Sequence, residues 1–205
     1  RPLTGLGRLG QNRSDAEWDE HRLALYREGR SKLLAAGYRQ VSMRMFERAD
    51  LPASSGPDYC CQTDGMIGIG CGSRSYTQTV HYSTEYAVGK TGVQSIIADY
   101  LKREPSAFAS ARYGYRLPVE DQQRRFVLQS LLQTEGLDQQ VCSEKFGRDV
   151  VDQLPQLIEL AEFGLAEINA GSIQLTPAGL ERSDAIGPWL YSPQVRELMG
   201  DFELH

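Results

Sequence analysis

Cysteine is scarce in this sequence: the 205 residues include only Cys60, Cys61, Cys71 and Cys142. Zinc ribbons and fingers pair cysteines that are separated by about two to four residues, and no pair here has that spacing. The cysteine content is also too low for the disulfide framework of a small secreted domain. The sequence therefore predicts reduced thiols in a cytoplasmic protein and no metal bound by this chain.

Long apolar runs and an excess of positive charge are absent as well. No apolar run approaches the roughly 20 residues that a membrane-spanning helix needs. The formal net charge is -5, which disfavours binding to nucleic acid or to an acidic membrane surface. We therefore expect neither a nucleic-acid partner nor a membrane partner. The remaining composition, 40% hydrophobic and 24% charged, is typical of a folded globular protein.

Residues 1–104 carry alternating helix and strand signals. A capping box at residues 14–17 predicts the start of a helix, and Gly37 predicts its end. Residues 38–46 then alternate between apolar and polar side chains, which predicts a strand. Thr91 is the predicted cap of a later helix. The order helix, glycine, strand favours an α/β fold.

Gly68, Gly70 and Gly72 form a glycine-rich stretch after a short apolar run. Without side chains there, the backbone can approach a ligand closely. The spacing does not match the G-x-G-x-x-G fingerprint of dinucleotide-binding proteins. The phosphate-loop pattern is also incomplete before Gly89, because Thr84 stands where its first glycine belongs. A tight, packed strand exit is the alternative to a ligand-binding loop.

From residue 118 the pattern changes from mixed to mainly helical. Residues 105–117 are predicted to be a linker, and residues 118–205 a second domain with three helices, a β-hairpin and a further helix after Thr176. This order is typical of a winged-helix-like domain. Residues 137–175 contain seven acidic and two basic residues, so we expect this domain to pack against protein rather than to bind DNA.

Arginines lie at or near the ends of several predicted strands. A guanidinium offers a planar, bidentate fork that matches a carboxylate. Arg1, Arg44 and Arg74 are therefore predicted to bind a carboxylate-bearing substrate. Ordinary solvation at the protein surface is the alternative for each of them.

Four stretches, taken in order, resemble the C-terminal half of oxygen-independent coproporphyrinogen III oxidase and its radical-SAM relatives. They are LLAAGY with MFER, MIGIGCGSRS, LTPAGL, and the DAI that follows, at residues 33–38 with 45–48, 66–75, 175–180 and 184–186. The resemblance extends over roughly residues 17–198. It implies that residues 1–104 are the terminal part of an open radical-SAM (β/α) barrel and that residues 118–205 are the family's C-terminal domain.

In this family an N-terminal C-x-x-x-C-x-x-C motif binds the [4Fe-4S] cluster, which cleaves S-adenosylmethionine to a radical. No such motif occurs in this sequence. The resemblance therefore implies that an N-terminal radical-SAM half is missing, and Arg1, where an initiator Met would stand, agrees with that expectation. We expect the chain alone to hold no cofactor and to be inactive.

The resemblance also assigns a cofactor-binding loop, which in the oxidase contacts a second S-adenosylmethionine. The matching residues are Gly70, Cys71, Gly72, Ser73 and Arg74. Arg74 departs from the aliphatic residue of the oxidase and is expected to pair with a substrate carboxylate instead. The implied function is chemistry on a porphyrin-like or other carboxylate-bearing small molecule. A haem-trafficking or methyl-transferring relative and a non-catalytic winged-helix interaction module are the alternatives.

Overall fold

The computed structural model describes residues 15–51, 60–87, 89–111 and 113–201. These residues form two compact units, and the division falls within one helix. The helical unit contains residues 15–51 and 129–189, and the sheet unit contains residues 60–128 and 190–201. Ser14, the first residue of the predicted capping box, lies outside the described residues.

The helices and strands follow one another along the chain with short connections. In chain order they are α1 (Asp15–Ala35), β1 (Tyr38–Gln40), β2 (Phe46–Arg48), α2 (Cys61–Asp64), β3 (Arg74–Tyr76), β4 (Val80–Ser83), α3 (Lys90–Leu101), a 3-10 helix (Pro105–Phe108), β5 (Tyr113–Arg116), α4 (Val119–Leu131), β6 (Leu137–Asp138), α5 (Gln139–Phe146), α6 (Val150–Gln153), α7 (Gln156–Glu162), β7 (Ala166–Ile168), β8 (Ser172–Leu175), α8 (Pro177–Leu180), α9 (Ser183–Trp189) and α10 (Pro193–Gly200).

The strands form three small antiparallel sheets. β1 pairs with β2, the strands β3, β4 and β5 lie in that order, and β8 lies between β6 and β7. The mixed helix and strand content agrees with the predicted α/β class. Within the described residues there is neither a parallel strand pair nor a closed barrel, so the predicted barrel end stays a prediction. Among the same residues, no helix is long and apolar enough to cross a membrane.

The predicted strand at residues 38–46 is wrong, because two strands and a tight reversal occupy it. Gln40 of β1 pairs with Phe46 of β2, and the Val41 amide donates to the Met45 carbonyl over 2.9 Å. The hydroxyl of Ser42 accepts a hydrogen bond from the Met45 amide at 3.2 Å. Such local bonds from a serine side chain favour a turn over a continuous strand. The predicted end of α1 is confirmed, since Gly37 has a φ of 82°.

Two other local predictions in the first half are also corrected. α3 begins at Lys90 with Gly89 in the capping position, so Thr91 lies inside the helix rather than before it. The predicted linker contains β5, whose Tyr115 pairs with His81 of β4. The alternation of bulky residues in Tyr113–Arg116 fits a strand. The neighbouring strand supplies hydrogen-bond partners for its backbone, which a linker would not have.

The predicted order of helices, hairpin and further helix occurs after residue 118, with two changes. The third helix is split into α6 and α7, because Pro155 has no amide hydrogen to continue the first segment. The hairpin of β7 and β8 is present, and Thr176 caps α8 as predicted, accepting from the Gly179 amide. The last helix is divided into α8, α9 and α10, and Ser192 caps α10.

Candidate functional site

The three-stranded sheet of β3, β4 and β5 organises the candidate site. Residue pairs across it are Arg74 with Ser83, Tyr76 with His81, and His81 with Tyr115. Successive side chains of a strand point to opposite faces, so these residues share one face of the sheet. Ser75 and the residue that pairs with it on β4 lie on the other face. Each face borders a cavity of ligand size. Arg74 and His81 line one of them and Ser75 and Val80 line the other, whereas Tyr82, Ser83 and Tyr113 line both.

The first cavity, here called the glycine-loop cavity, has a volume of about 740 Å³. Its wall includes the backbone of Gly68 and Gly70 and the hydroxyl-bearing residues Ser73, Ser75 and Thr84. The ion pair of Arg103 and Glu85, at 2.5 Å, also lies along it. Hydroxyls and bare backbone are groups that bind polar ligands by hydrogen bonds. This face of the sheet therefore offers several hydrogen-bonding groups within a largely apolar lining.

The loop beside this cavity depends on glycine. Met66 and Tyr76 exchange two backbone hydrogen bonds of 2.9 and 2.8 Å, and the Gly68 amide donates to the buried Ser75 hydroxyl at 3.0 Å. A Cβ atom at Gly68 would lie 2.4 Å from the Arg74 carbonyl oxygen, which leaves no room for a side chain. Gly70 has a φ of 100°, a conformation that other residues adopt only with strain.

Thr84 lines the glycine-loop cavity, and none of the described residues is a hydrogen-bond partner of its buried side-chain oxygen. Its amide donates to the Ser73 carbonyl at 3.2 Å, which fixes the position of the residue. An unsatisfied buried hydroxyl costs about 1–3 kcal/mol, and a ligand that bonds to it recovers part of that cost. The cavity thus fits a ligand that carries hydrogen-bonding groups, such as S-adenosylmethionine.

The second cavity, here called the tyrosine cleft, lies between the opposite face of the sheet and α10, and its volume is about 620 Å³. The sheet contributes Arg74 and a group of aromatic side chains. The helix contributes aliphatic ones. The residues of these two groups are Tyr76, His81, Tyr82, Tyr113, Tyr115, Val195, Leu198 and Met199. A largely apolar wall with one cation suits an apolar or aromatic body that carries an anionic group.

Arg74 supplies the cation of the tyrosine cleft. Its side chain is exposed and forms neither a hydrogen bond nor an ion pair with any described residue. Asp201 also lines the cleft, but the two side chains are not within ion-pair distance. Glu47, an acidic residue of β2, pairs with Arg39 at 2.9 Å. The guanidinium of Arg74 is thus available to a ligand.

The imidazole of His81 contacts the guanidinium of Arg125 of α4. The Arg125 Nη1 atom lies 2.8 Å from His81 Nε2, and the ring of Tyr76 packs edge-on against the imidazole at 4.8 Å. Burial lowers the pKa of His81, and the positive charge of Arg125 lowers it further. Burial likewise lowers the pKa of Arg125. His81 is therefore neutral near pH 7.

Tyr115 forms the other polar anchor of the cleft. Its hydroxyl donates to the carboxylate of Asp121, which is only 5% exposed, and lies 3.4 Å from the Gln194 side-chain oxygen. Burial and the hydrogen bond to Asp121 together raise the pKa of Tyr115 to about 12. The phenol therefore stays protonated and fixes the position of β5 against α4.

The structure separates the residues that the sequence analysis grouped as a cofactor site. Gly70 and Ser73 line the glycine-loop cavity, whereas Arg74 lines the tyrosine cleft on the other face. Cys71 is exposed, and Gly72 has a φ of 71°. Successive side chains along β3 and the residue before it point to opposite faces, so Arg74 and its neighbour Ser73 line different cavities.

Neither of the other two predicted arginines is among the described residues of the sheet unit. Arg44 belongs to the helical unit, where its guanidinium pairs with the carboxylate of Asp184. Arg1 lies outside the described residues. Of the three arginines, only Arg74 is therefore retained in the candidate substrate site.

Several residues of these cavities were not singled out in the sequence. Tyr113 and Tyr115 stood in the predicted linker, His81 was an unremarked histidine, and Thr84 was noted only for not being glycine. The alternating pattern Tyr–Gly–Tyr–Arg at residues 113–116 is a signal that identifies β5. No local pattern pairs Arg125 with His81, because 44 residues separate them.

The residues present do not fit an iron–sulfur cluster. Such clusters need several thiolates that converge on the iron atoms. Among the described residues, no group of three cysteine, histidine or acidic side chains could hold a metal ion. Cys71 is exposed in the sheet unit, and Cys142 is buried in the helical unit.

Comparisons with known proteins agree with this architecture. Residues 117–181 match the family model of the HemN C-terminal domain. The fold is similar to that of coproporphyrinogen III oxidase (HemN) from Escherichia coli, a radical SAM enzyme, with a TM-score of 0.57 and 18% sequence identity. The similar region covers 80% of this chain and 39% of that enzyme, so the chain spans about two fifths of its length. No curated protein gave a significant sequence match.

The two matches confirm the resemblance that the sequence motifs indicated. The family match lies in the part of the chain that was predicted as the C-terminal domain, and the structural similarity extends beyond it. At this level of identity the structural similarity shows a shared fold. The chain is therefore similar to the C-terminal part of HemN.

Proposed function

We propose that this chain is the C-terminal portion of a radical-SAM enzyme that acts on a porphyrin-like or other carboxylate-bearing substrate. The observation that carries the proposal is the guanidinium of Arg74, which pairs with none of the described residues, in an aromatic cleft on a fold that is similar to HemN. The glycine-loop cavity on the other face of the same sheet supports it. In this proposal residues 1–104 complete a barrel, and residues 118–205 form the winged-helix-like domain.

The glycine-loop cavity would hold S-adenosylmethionine. The residues that would contact it are Gly68 and Gly70 through their backbone, and Ser73 and Thr84 through their hydroxyls. In the whole protein, S-adenosylmethionine bound at an iron–sulfur cluster would supply the organic radical. The molecule in the glycine-loop cavity, on the other face of the sheet from the tyrosine cleft, would be a second S-adenosylmethionine. The chain contributes the cavity, and the cluster would be held by residues of the whole protein that are outside this sequence.

The tyrosine cleft would hold the substrate. Arg74 would bind a carboxylate through two parallel hydrogen bonds, while the tyrosines and the aliphatic side chains of α10 cover an apolar ring system. A charge-assisted hydrogen bond of this kind contributes about 1.5–3 kcal/mol. The remaining walls exclude water from the bound ligand, which radical chemistry requires.

A titration with coproporphyrin III, a fluorescent tetrapyrrole with four carboxylates, tests the substrate proposal. We expect the wild-type chain to bind it and Arg74→Ala to bind about 10- to 150-fold more weakly, as loss of one charge-assisted contact implies. Arg44→Ala is the matched control, because Arg44 is paired with Asp184 in the helical unit. Fluorescence anisotropy reports both affinities.

Two outcomes of this titration would contradict the proposal. If the wild-type chain does not bind the tetrapyrrole, the tyrosine cleft is not its site. If Arg74→Ala and Arg44→Ala weaken binding equally, the effect is one of overall charge. Thermal unfolding of both variants should stay near that of the wild type, since an exposed arginine contributes little to stability.

A further inference from the structure

Arg125 makes three hydrogen bonds that converge on the reversal between β3 and β4. Its Nη1 atom donates to the Thr77 carbonyl at 3.0 Å, and its Nη2 atom donates to the Gln78 carbonyl at 2.7 Å. The third contact joins Nη1 to His81 Nε2 at 2.8 Å. With one Nη1 hydrogen directed to each of its two partners, the guanidinium has a single orientation.

This contact determines which nitrogen of His81 carries the proton. A guanidinium has hydrogen-bond donors and no acceptor, so Nε2 must accept with its lone pair. The imidazole is then neutral, and its one hydrogen is on Nδ1. A protonated imidazole would direct a second N–H towards the guanidinium, which agrees with the lowered pKa of His81 that burial and Arg125 produce.

The Nδ1 hydrogen of His81 is not used by the described part of the protein. His81 lines the tyrosine cleft, and no described residue accepts a hydrogen bond from its ring. Tyr115, opposite it on β5, directs its own hydroxyl to Asp121. The perpendicular ring of Tyr76 packs against the imidazole and limits its rotation.

Strand register brings this donor close to Arg74. Arg74 of β3 is opposite Ser83 of β4. His81 is two residues before Ser83 on β4, so its side chain lies on the same face as that of Ser83. Such diagonal neighbours are about 7–8 Å apart in an antiparallel pair. An arginine side chain is long enough to span that distance, so one ligand oxygen can lie within reach of both residues.

We propose that His81 is a ligand-binding residue of the tyrosine cleft, donating its Nδ1 hydrogen to a carboxylate or carbonyl oxygen of a ligand held by Arg74, and that Arg125 is the positioning residue that fixes this tautomer. The ligand role rests on the proposed function, since Arg74 is its substrate-binding residue. The tautomer rests on the Arg125 contact alone.

Nitrogen-15 NMR of the ring of His81 tests the tautomer without any ligand. We expect a protonated Nδ1 and an unprotonated Nε2 near pH 7 in the wild-type chain. Arg125→Met should give a mixture of tautomers, and Arg125→Lys, which retains a charge without the planar fork, should lie between the two. A predominantly Nε2-protonated or doubly protonated ring in the wild type would overturn the role of Arg125.

Two substitutions of His81 separate the ligand role from a structural one. His81→Asn keeps an amide group near the position of Nδ1, whereas His81→Gln keeps one near Nε2, where it can still bond to Arg125. We expect His81→Gln to bind coproporphyrin III about tenfold more weakly than His81→Asn does, because only the asparagine retains a donor towards the cleft. If His81 only supports the β3–β4 reversal, the order of the two variants is reversed.

The outcomes distinguish this inference from the proposed function. Binding by the wild type that depends on Arg74 but is equal for His81→Asn and His81→Gln would overturn the ligand role of His81 and leave the proposed function intact. An absence of binding by the wild type would overturn the proposed function and the ligand role with it. Addition of the probe should also shift the Nδ1 resonance of wild-type His81, and an unchanged resonance at saturation counts against direct contact.

Discussion

The helical unit and the sheet unit differ in how deeply their apolar side chains are buried. Leu137, Leu157 and Ile173 of the helical unit are completely buried. In the sheet unit, Ile69 is 93% exposed and Leu101 is 77% exposed. Most of the buried apolar side chains among the described residues thus belong to the helical unit, whereas the sheet unit buries only Ala87, Leu117, Val127 and Leu190.

The interior of the sheet unit relies more on polar contacts. Ser75, Asp121 and Gln123 are buried there, and Arg125 donates to two backbone carbonyls. Hydrogen bonds between buried groups fix geometry strongly, but each contributes only about 0.5–1.5 kcal/mol of net stability. The comparison indicates that apolar burial contributes more to the helical unit and polar contacts contribute more to the sheet unit.

The same chemical change in the two units should give the largest difference. Leu157→Ala removes a fully buried side chain from the helical unit and should lower the free energy of unfolding by about 2–5 kcal/mol. Leu101→Ala, in α3 of the sheet unit, should change it by less than about 0.5 kcal/mol. Urea denaturation followed by circular dichroism measures both, and equal effects would break the comparison.

Tyr115→Phe should destabilise the sheet unit by about 1–3 kcal/mol, because the buried carboxylate of Asp121 loses its donor. Since the pKa of Tyr115 is raised to about 12 in the folded protein, its contribution is present below the ordinary tyrosine pKa of about 10 and is lost as the pH rises through about 12. Urea denaturation of wild type and variant across this range measures the difference. The control is Tyr86→Phe, at a half-exposed tyrosine, which should match the wild type.

Thr84→Val should have opposite effects on stability and binding. It removes an unsatisfied buried hydroxyl, so the chain should become more stable by up to about 1 kcal/mol. Binding of S-adenosylmethionine by the whole protein, measured by calorimetry, should become weaker because the ligand loses that partner. Thr91→Val, on the exposed side of α3, should leave the affinity unchanged. A Thr84 variant that is less stable and binds normally would show that the hydroxyl has a structural role.

The smallest expected effect is the absence of binding to duplex DNA. Residues 137–175 of the helical unit have an excess of acidic side chains, and phosphate neutralisation drives association with DNA. A gel-shift assay in about 50 mM salt, where that attraction is strongest, should show no complex. A complex that dissociates with added salt would reassign the helical unit to nucleic-acid recognition.

Local signals in the sequence predicted much of the fold. Gly37 ends α1, Thr176 caps α8, and the hairpin lies around residues 169–171, because each depends on the conformation or hydrogen bonds of neighbouring residues. Short strands were harder to predict. The turn at Ser42 divides a stretch whose alternation fits one strand equally well, and β5 is recognised only through its pairing with β4.

The candidate site was predicted only in part, because it depends on contacts between distant residues. Gly70 and Arg74 were both found, since glycine-dense loops and isolated arginines are visible in the sequence. Their placement on opposite faces requires the register of β3 against β4. Arg125 lies 44 positions from His81, and the α10 residues that line the cleft lie at least 80 positions from its strand residues.

The alternation of the central sheet also constrains how this chain can change over evolution. Substitutions at Arg74 or His81 alter one cavity, and substitutions at Ser75 or Val80 alter the other, so each cavity can acquire a new preference by itself. Insertion or deletion of one residue within β4 exchanges the two sets of side chains and destroys both cavities at once. Homologues with different ligands should therefore differ by replacements in these strands, and changes in length should be confined to the loops that connect them.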